Sequence, residues 1–154
     1  MQQAFSTSLK RGSILFVLLA SAHHAAAELT LEGFWVRALP PTQTMTAAYG
    51  RIINEGSEAV VITEVTTTAA QTATLHDSQQ SGDQVRMVAM GDVSLGSGDV
   101  LELSPGGAHL MLMGIETMPA MGTTVEICVH SQTSKFCTAA PVQRDAMPMG
   151  HHHH

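Results

Sequence analysis

Short apolar segments separated by turn-forming residues dominate the chain from residue 29 onward. No long stretch places apolar residues at helical spacing, and short apolar runs bounded by turn signals favour β-strands. One segment alternates with period two, because Val125, Ile127 and Val129 are separated by Glu126 and Cys128. The predicted strands are Leu29–Arg37, Ala47–Ile53, Val60–Thr67, Ala73–His76, Gln84–Met90, Val100–Leu103, Ala108–Ile115, Thr124–His130 and Phe136–Val142.

The turn signals between these segments indicate the fold class. Pro40-Pro41, Gly96-Ser97-Gly98 and Pro105-Gly106-Gly107 are runs of residues that favour turns. Many short strands at this spacing are typical of an antiparallel sandwich or barrel. The sequence therefore predicts an all-β fold.

The first 27 residues have the organisation of a secretory signal peptide. Lys10 and Arg11 form a basic region, and residues 12–20 are an apolar stretch of the expected length. Residues 25–27 are alanines, which predicts cleavage before Glu28. A buried N-terminal helix is the alternative interpretation. A signal peptide would deliver the chain to the periplasm or outside the cell, where thiols tend to pair.

We therefore expect three parts: a signal peptide over residues 1–27, one folded domain over 28–143 and a flexible tail over 144–154. Residues 20–22 offer a second possible cleavage position. The 127 residues that remain after cleavage before Glu28 suit a single domain.

Charge and hydropathy disfavour two classes of partner. Without Lys10 and Arg11, five basic residues stand against thirteen acidic ones, which is a formal net charge of −8. A nucleic-acid partner requires a basic surface, so this class is disfavoured. No apolar run approaches the ~18 residues of a membrane span, so no stable membrane insertion is expected. The expected state is a monomer.

The two cysteines fall in a predicted hairpin. If residues 131–134 form the turn, Cys128 and Cys137 lie opposite each other on adjacent strands. The Cβ separation across such a pair is close to what a disulfide requires, and an oxidising compartment favours the bond. Two free thiols or a metal-binding role are the alternatives.

Methionine and histidine are frequent for a chain of this length, at ten and nine residues. His109 and Met111 project from the same face of a predicted strand, because side chains two residues apart share a face. His76 and Met87 lie on two other predicted strands. Two imidazoles and two thioethers form a soft ligand set without a thiolate, which selects Cu(I) over zinc and the hard cations. Core packing by these side chains is the alternative.

The spacing of these four residues carries a family resemblance. Ten residues separate His76 from Met87, 21 separate Met87 from His109, and one separates His109 from Met111. This H-x10-M-x21-H-x-M arrangement resembles the signature of the PCuAC family of periplasmic copper chaperones. The similar flanking segments are Trp35-Val36-Arg37 with Pro40-Pro41, Ala47-Ala48-Tyr49 leading to Asn54, and LSPGGAHLML at residues 103–112.

The resemblance implies a cupredoxin-like antiparallel Greek-key β-sandwich that binds one Cu(I) near its surface and is not an enzyme. It implies the four residues above as copper ligands. It further implies copper delivery in the periplasm, to the CuA site of cytochrome c oxidase subunit II or to another copper chaperone. The chain departs from the family pattern at Ala108 and Gly50, where larger or apolar residues are usual, and these departures concern strand packing.

The other methionines of the domain are expected at the margin of the site or in the core. Met45, Met118 and Met121 lie in predicted loops, where they could fringe the site with soft side chains. Met113 shares strand parity with the two ligands of its own strand, and we expect it to pack in the core.

The C-terminal tail contains Met147 and Met149, followed by His151, His152, His153 and His154. His-rich tracts bind metals, and some PCuAC proteins carry such an extension. Imidazoles accept Cu(II), so a second copper site is expected in the tail. Part of a purification tag is the alternative interpretation.

Three competing functions remain. An electron-transfer cupredoxin requires a cysteine thiolate with two histidines and an axial methionine; Cys137 and Met147 are suitably spaced, but no histidine lies between them. A periplasmic hydrolase lacks support, since the sequence has no G-x-S-x-G motif. A copper buffer for tolerance would use the same four ligands as a carrier, and the sequence does not distinguish the two.

Overall fold

A computed structural model describes residues 29–145. The predicted signal peptide at residues 1–27 and positions 146–154 of the predicted tail lie outside the described residues. Within the described range the chain contains strands and no helix, and so no helix there could cross a membrane. The strands are β1 (Leu29–Arg37), β2 (Met45–Asn54), β3 (Val60–Thr67), β4 (Thr72–Ser81), β5 (Gln84–Ala89), β6 (Val93–Leu95), β7 (Val100–Leu103), β8 (His109–Met113), β9 (Thr124–Ser131) and β10 (Lys135–Gln143).

Each of the nine predicted strands is present, and two differences have physical causes. The second half of β4 is polar, and its residues from His76 to Ser81 are held by backbone pairing with β5 instead of by a buried face. The missed strand, β6, has three residues and pairs with β3 through Val60 and Leu95. A polar strand end and a strand of only three residues leave little trace in the hydrophobic pattern.

The strands form one continuous ladder in the order β5-β4-β8-β2-β1-β10-β9-β3-β6, with β7 beside β2. The path returns to β4 through the pair Val65–Ala73, so the sheet curls on itself into a β-sandwich. The predicted all-β sandwich is confirmed and is compatible with a cupredoxin-like fold. The sheet is mixed, because β1 and β10 pair in parallel through Val36 and Val142, whereas the other strand pairs of the described residues are antiparallel. No hairpin joins these two strands, so no short connection requires them to run in opposite directions.

The core lies between the inward faces of these strands. Leu110 and Leu112 of β8 and Val36 of β1 are almost completely buried there. The predicted alternation on β9 is confirmed for Val125, Ile127 and Val129, which are all buried. Cys128, on the other face of β9, is also buried, although alternation alone would place it in solvent.

Cys128 is bonded to Cys137 on the neighbouring strand. The two residues are direct partners in the β9–β10 ladder, and their Cα atoms are 4.0 Å apart. The hairpin turn is where the sequence placed it, since the amide of Ser131 donates to the carbonyl of Ser134. The sulfur atoms are joined in a disulfide, which fixes the two strands to each other.

Replacing both Cys128 and Cys137 with alanine should lower the free energy of unfolding by about 2–3 kcal/mol, because the bond closes a short loop and restricts the unfolded chain. Urea denaturation of the variant and the parent protein measures this difference. Copper stoichiometry should not change. Mass spectrometry after alkylation provides the control, and free thiols in protein exported to an oxidising compartment would contradict the assignment.

Gly50 is held in an unusual backbone conformation on β2. Its φ is +154°, and a Cβ atom there would lie 2.6 Å from Cδ2 of Phe34. Phe34 lies within an irregularity of β1 between Glu32 and Trp35, which turns its ring into the core. Phe34 therefore fills the space that a side chain at position 50 would need, which accounts for the glycine at this position.

Candidate metal centre

Strand β8 presents two of the predicted ligands on its outer face. Leu110 and Leu112 point into the core, so the alternating His109 and Met111 project from the opposite face. The prediction that these two side chains share one face is confirmed.

The other two predicted ligands reach the same face from neighbouring strands. His76 on β4 is the direct partner of His109, and their rings lie 6.1 Å apart between centroids with planes inclined by 21°. Met87 on β5 is the partner of Ser78, which lies two residues beyond His76 and shares its face. Three adjacent strands thus bring two imidazoles and two thioethers onto one surface.

A depression of about 360 Å³ lies over this surface. Met87, His109 and Met111 line it, together with Arg37 and Tyr49 from the adjoining strands. His76 is not part of its wall but stands beside His109 at the edge. Three of the four predicted ligands therefore line one shallow opening, and the fourth stands beside His109.

His109 is the buried member of the set and has an uncommon hydrogen-bonding state. Only 4% of its surface is exposed. Its Nδ1 lies 3.0 Å from the carbonyl oxygen of Gly107, and a carbonyl accepts only, so Nδ1 carries the hydrogen and donates it. The other ring nitrogen, Nε2, is buried and has no hydrogen-bond partner. A buried acceptor without a partner costs free energy, and an imidazole held by its other nitrogen is the usual form of a metal-ligating histidine.

His76 shows the same arrangement in a more open setting. Its Nδ1 lies 3.3 Å from both the carbonyl oxygen and the hydroxyl oxygen of Thr74. The carbonyl can only accept, so donation from Nδ1 leaves the Nε2 lone pair of His76 for a metal ion.

The thioethers differ in exposure. Met87 is 57% exposed and lies on β5, an edge strand whose side chains are all exposed, whereas Met111 is half-buried. His109 and Met111 are therefore the anchored ligands, and Met87 is carried by the element with the fewest core contacts. Such elements open with the lowest free-energy cost.

Tyr49 and Arg37 line the side of the depression away from β4. The ring of Tyr49 is buried, 4.7 Å from the ring of Trp35, and the Arg37 guanidinium lies 5.0 Å from its centroid. Burial raises the pKa of Tyr49 above its ordinary value, and the positive charge of Arg37 opposes part of this rise. Tyr49 is thus a neutral phenol at physiological pH and adds no anionic oxygen ligand to the site.

Three methionines lie elsewhere than the sequence suggested. Met45 is the first residue of β2 instead of a loop residue, and it lines the depression. Met113 is half-buried on the ligand face and is not a core residue. Met118, expected in a loop at the margin, is buried in the core. The parity of Met113 with His109 was the available signal for its true position.

Among the described residues, one group of histidine, cysteine or acidic side chains is close enough to hold a metal ion: Glu126, Cys128 and Cys137. The two sulfur atoms are bonded to each other and offer no thiolate. This removes the cysteine ligand that an electron-transfer cupredoxin would need.

Comparisons with known proteins agree with this fold. The family described as "Putative lipoprotein LpqE-like" matches residues 29–142. A relative from Leifsonia xyli subsp. xyli, named "Putative lipoprotein Lxx21020", is 32% identical over 111 residues. That match covers 71% of this chain and 66% of the relative, which is slightly less than two thirds of its length.

Two solved structures have similar architecture. The copper-bound PCuAC domain from PmoF2 has a TM-score of 0.65 at 18% identity, with 78% of this chain and 97% of that domain covered. The Cu(I) form of DR1885 from Deinococcus radiodurans has a TM-score of 0.55 at 26% identity, with 81% and 84% covered. The fold expected from the PCuAC resemblance is confirmed by these neighbours.

Proposed function

The chain belongs to the LpqE-like family, and we propose that it is a copper carrier that binds one Cu(I) through His76, Met87, His109 and Met111 and passes the ion to another protein. The observation that carries the proposal is the buried, unpartnered Nε2 of His109, in the wall of a depression that the thioethers of Met87 and Met111 also line. Copper-bound PCuAC neighbours support the same choice of metal.

The ligand chemistry favours Cu(I) over other metals. Thioethers are soft ligands that select Cu(I), whereas structural zinc sites use thiolates, imidazoles and carboxylates. The cysteine sulfurs of the described domain are joined to each other, so no thiolate competes for the ion. The neutral set leaves the bound ion its single positive charge, within a chain whose acidic residues outnumber its basic ones.

The four proposed ligands differ in exposure, and this difference suits a carrier better than a permanent cofactor site. His109 is buried and fixed by its bond to Gly107, while Met87 is exposed on an edge strand. An acceptor can replace Met87 first and take the remaining ligands one at a time, because neutral ligands exchange without a change in charge. A permanent site would instead hold all of its ligands on packed elements.

The location and the recipient extend this proposal. We place the protein in the periplasm or attached to the cell envelope, which agrees with the word lipoprotein in the names of its relatives. The proposed recipients are the CuA site of cytochrome c oxidase subunit II or a second copper chaperone. A copper buffer for tolerance would use the same ligands and differs in retaining the ion.

Copper transfer from the loaded protein to apo acceptors tests the proposal. The full chain, loaded with one equivalent of Cu(I) under reducing conditions, should transfer the ion to an apo CuA domain or to an apo chaperone, as measured by copper content after separation. Retention of copper against every acceptor would favour the buffer and contradict the carrier. A chain that binds no Cu(I) would contradict both functions.

The tail is proposed as a second, separate copper site. Gln143 pairs with Arg37, whose side chain lines the depression, so the chain leaves β10 close to the core site. Met147 follows Gln143 by four residues, which is an extended reach of about 14 Å. A tail that captures Cu(II) there would raise the local concentration of copper near the depression.

Deleting residues 145–154 should remove Cu(II) binding that weakens as the pH falls through about 6.5, because protonated imidazole cannot bind a metal ion. Electron paramagnetic resonance of the Cu(II)-loaded full chain and of the chain ending at Arg144, from pH 5 to 8, measures this. The methionine-containing core should respond less to pH, since thioethers do not titrate. An unchanged Cu(II) spectrum and stoichiometry after deletion would show that the tail is inert.

A further inference from the structure

Two methionines outside the four-ligand cluster, Met45 and Met113, lie beside Met111 on the ligand face. Met45 on β2 is the direct cross-strand partner of Met113 on β8, so their Cβ atoms are about 5 Å apart. Met111 lies two residues before Met113 on the same face, and it is the diagonal neighbour of Met45, at about 7–8 Å. The register therefore forms a triangle of thioethers with Met111 at the corner nearest His109.

The side chains of this triangle can reach solvent and each other. Met45 is 48% exposed and lines the same depression as His109, while Met111 and Met113 are half-buried. Each methionine has three rotatable side-chain bonds, so the sulfur atoms can converge on one point without a change in the backbone. Packing of the core does not require Met45 or Met113, since both point away from it.

We propose that Met45, Met111 and Met113 form a second Cu(I) position made of thioethers alone, which shares Met111 with the four-ligand cluster. Thioethers select Cu(I), and the set contains no group that titrates near neutral pH. This inference rests on the proposed function, because Met111 is a ligand of the core site.

The shared ligand gives the second position a role in transfer. Copper can move between the two positions while Met111 stays bound, with Met45 and Met113 replacing His76, Met87 and His109, or the reverse. The ion remains Cu(I) throughout and the exchanged ligands are neutral, so no electron or proton has to be supplied. The outer position is the receiving or releasing end, since Met45 stands at the open rim.

The direct test uses the full chain with ¹³C-labelled methionine methyl groups, titrated with Cu(I) under reducing conditions. The first equivalent should shift the methyl signals of Met87 and Met111. The second equivalent should shift those of Met45 and Met113, while buried Met118 and exposed Met121 stay unchanged. Because each methyl group reports separately, the signals of Met147 and Met149 show any copper that the tail takes up, and Cu(I) is added until no methyl signal shifts further. Unmoved signals from Met45 and Met113 at that point would overturn the proposal.

Leucine substitutions provide the second test, because leucine keeps the volume of methionine without its sulfur. The double variant Met45→Leu, Met113→Leu should bind one equivalent of Cu(I) fewer than the Met121→Leu control, and this difference should persist at pH 5. Failure of the parent protein to bind a first equivalent of Cu(I) would contradict the proposed function itself. Full retention of both equivalents in the double variant, with normal binding in the parent, would contradict the second position alone.

Discussion

Replacing His109 with alanine is expected to abolish tight Cu(I) binding by the folded domain. The substitution removes the buried Nε2, the only buried side-chain nitrogen or oxygen of the described residues without a hydrogen-bond partner. It also removes the ligand that Gly107 holds in the metal-binding form. Mutating a residue that hydrogen-bonds to a metal ligand lowers metal affinity by up to about 100-fold. Removing the ligand itself should lower the affinity further.

Competition with a Cu(I) chelator on a chain ending at Arg144 measures this effect, and the tail does not contribute there. His130→Ala is the matched control, because His130 is satisfied by Thr66 Oγ1 at 2.8 Å and lies on β9, away from the depression. Zinc at a comparable concentration should not displace copper. Unchanged Cu(I) affinity in the double variant His109→Ala, Met111→Ala would rule out the ligand assignment.

The apo form of the His109 variant should remain folded. In the parent protein the buried Nε2 without a hydrogen-bond partner costs about 1–3 kcal/mol of stability. The alanine variant no longer has this cost, which offsets part of the free energy lost to the cavity that alanine leaves. Circular dichroism of the apo variant therefore separates loss of the ligand from loss of the fold. The rise in melting temperature that copper gives the parent should disappear, because ligand stabilisation scales with affinity.

The strands could be predicted from the sequence wherever one face is buried. Val125, Ile127 and Val129 are core residues in the structure, and their alternation was visible in the chain. Backbone pairing between strands that are far apart in the sequence produces no pattern of apolar and polar residues. The parallel pairing of β1 with β10 and the polar end of β4 could not be read from the pattern for this reason.

The candidate site was predictable in part for the same reason. Strand parity alone placed His109 and Met111 on one face. The pairing of His76 with His109 depends on the register between β4 and β8, which only the folded chain defines. The hydrogen bond from His109 to Gly107 and the exposed position of Met45 likewise depend on the turn and strand ends, where sequence patterns are weakest.

The glycine at position 50 is explained by Phe34, which is distant in the sequence but lies against it in the fold. The PCuAC resemblance implied an apolar residue at this position, but the sequence did not show what compensates for the glycine. In the structure Phe34 supplies the missing apolar volume from β1, with its Cδ2 and Cγ atoms 2.6 and 2.7 Å from the position of a Cβ at residue 50. The backbone Cα of Phe34 is also within 2.9 Å, so movement of the ring alone would not make room.

Gly50→Ala should therefore lower the free energy of unfolding by about 2–4 kcal/mol, the sum of an overpacking cost and the strain of a positive φ. Urea denaturation followed by the fluorescence of Trp35, the single tryptophan of the chain, measures this next to the altered residue. Gly98→Ala is the matched control, because Gly98 also has a positive φ, +79°, but has open space around its Cβ position. The control should lose only about 1 kcal/mol, the cost of the backbone conformation. Equal losses in the two variants would show that Phe34 does not restrict position 50.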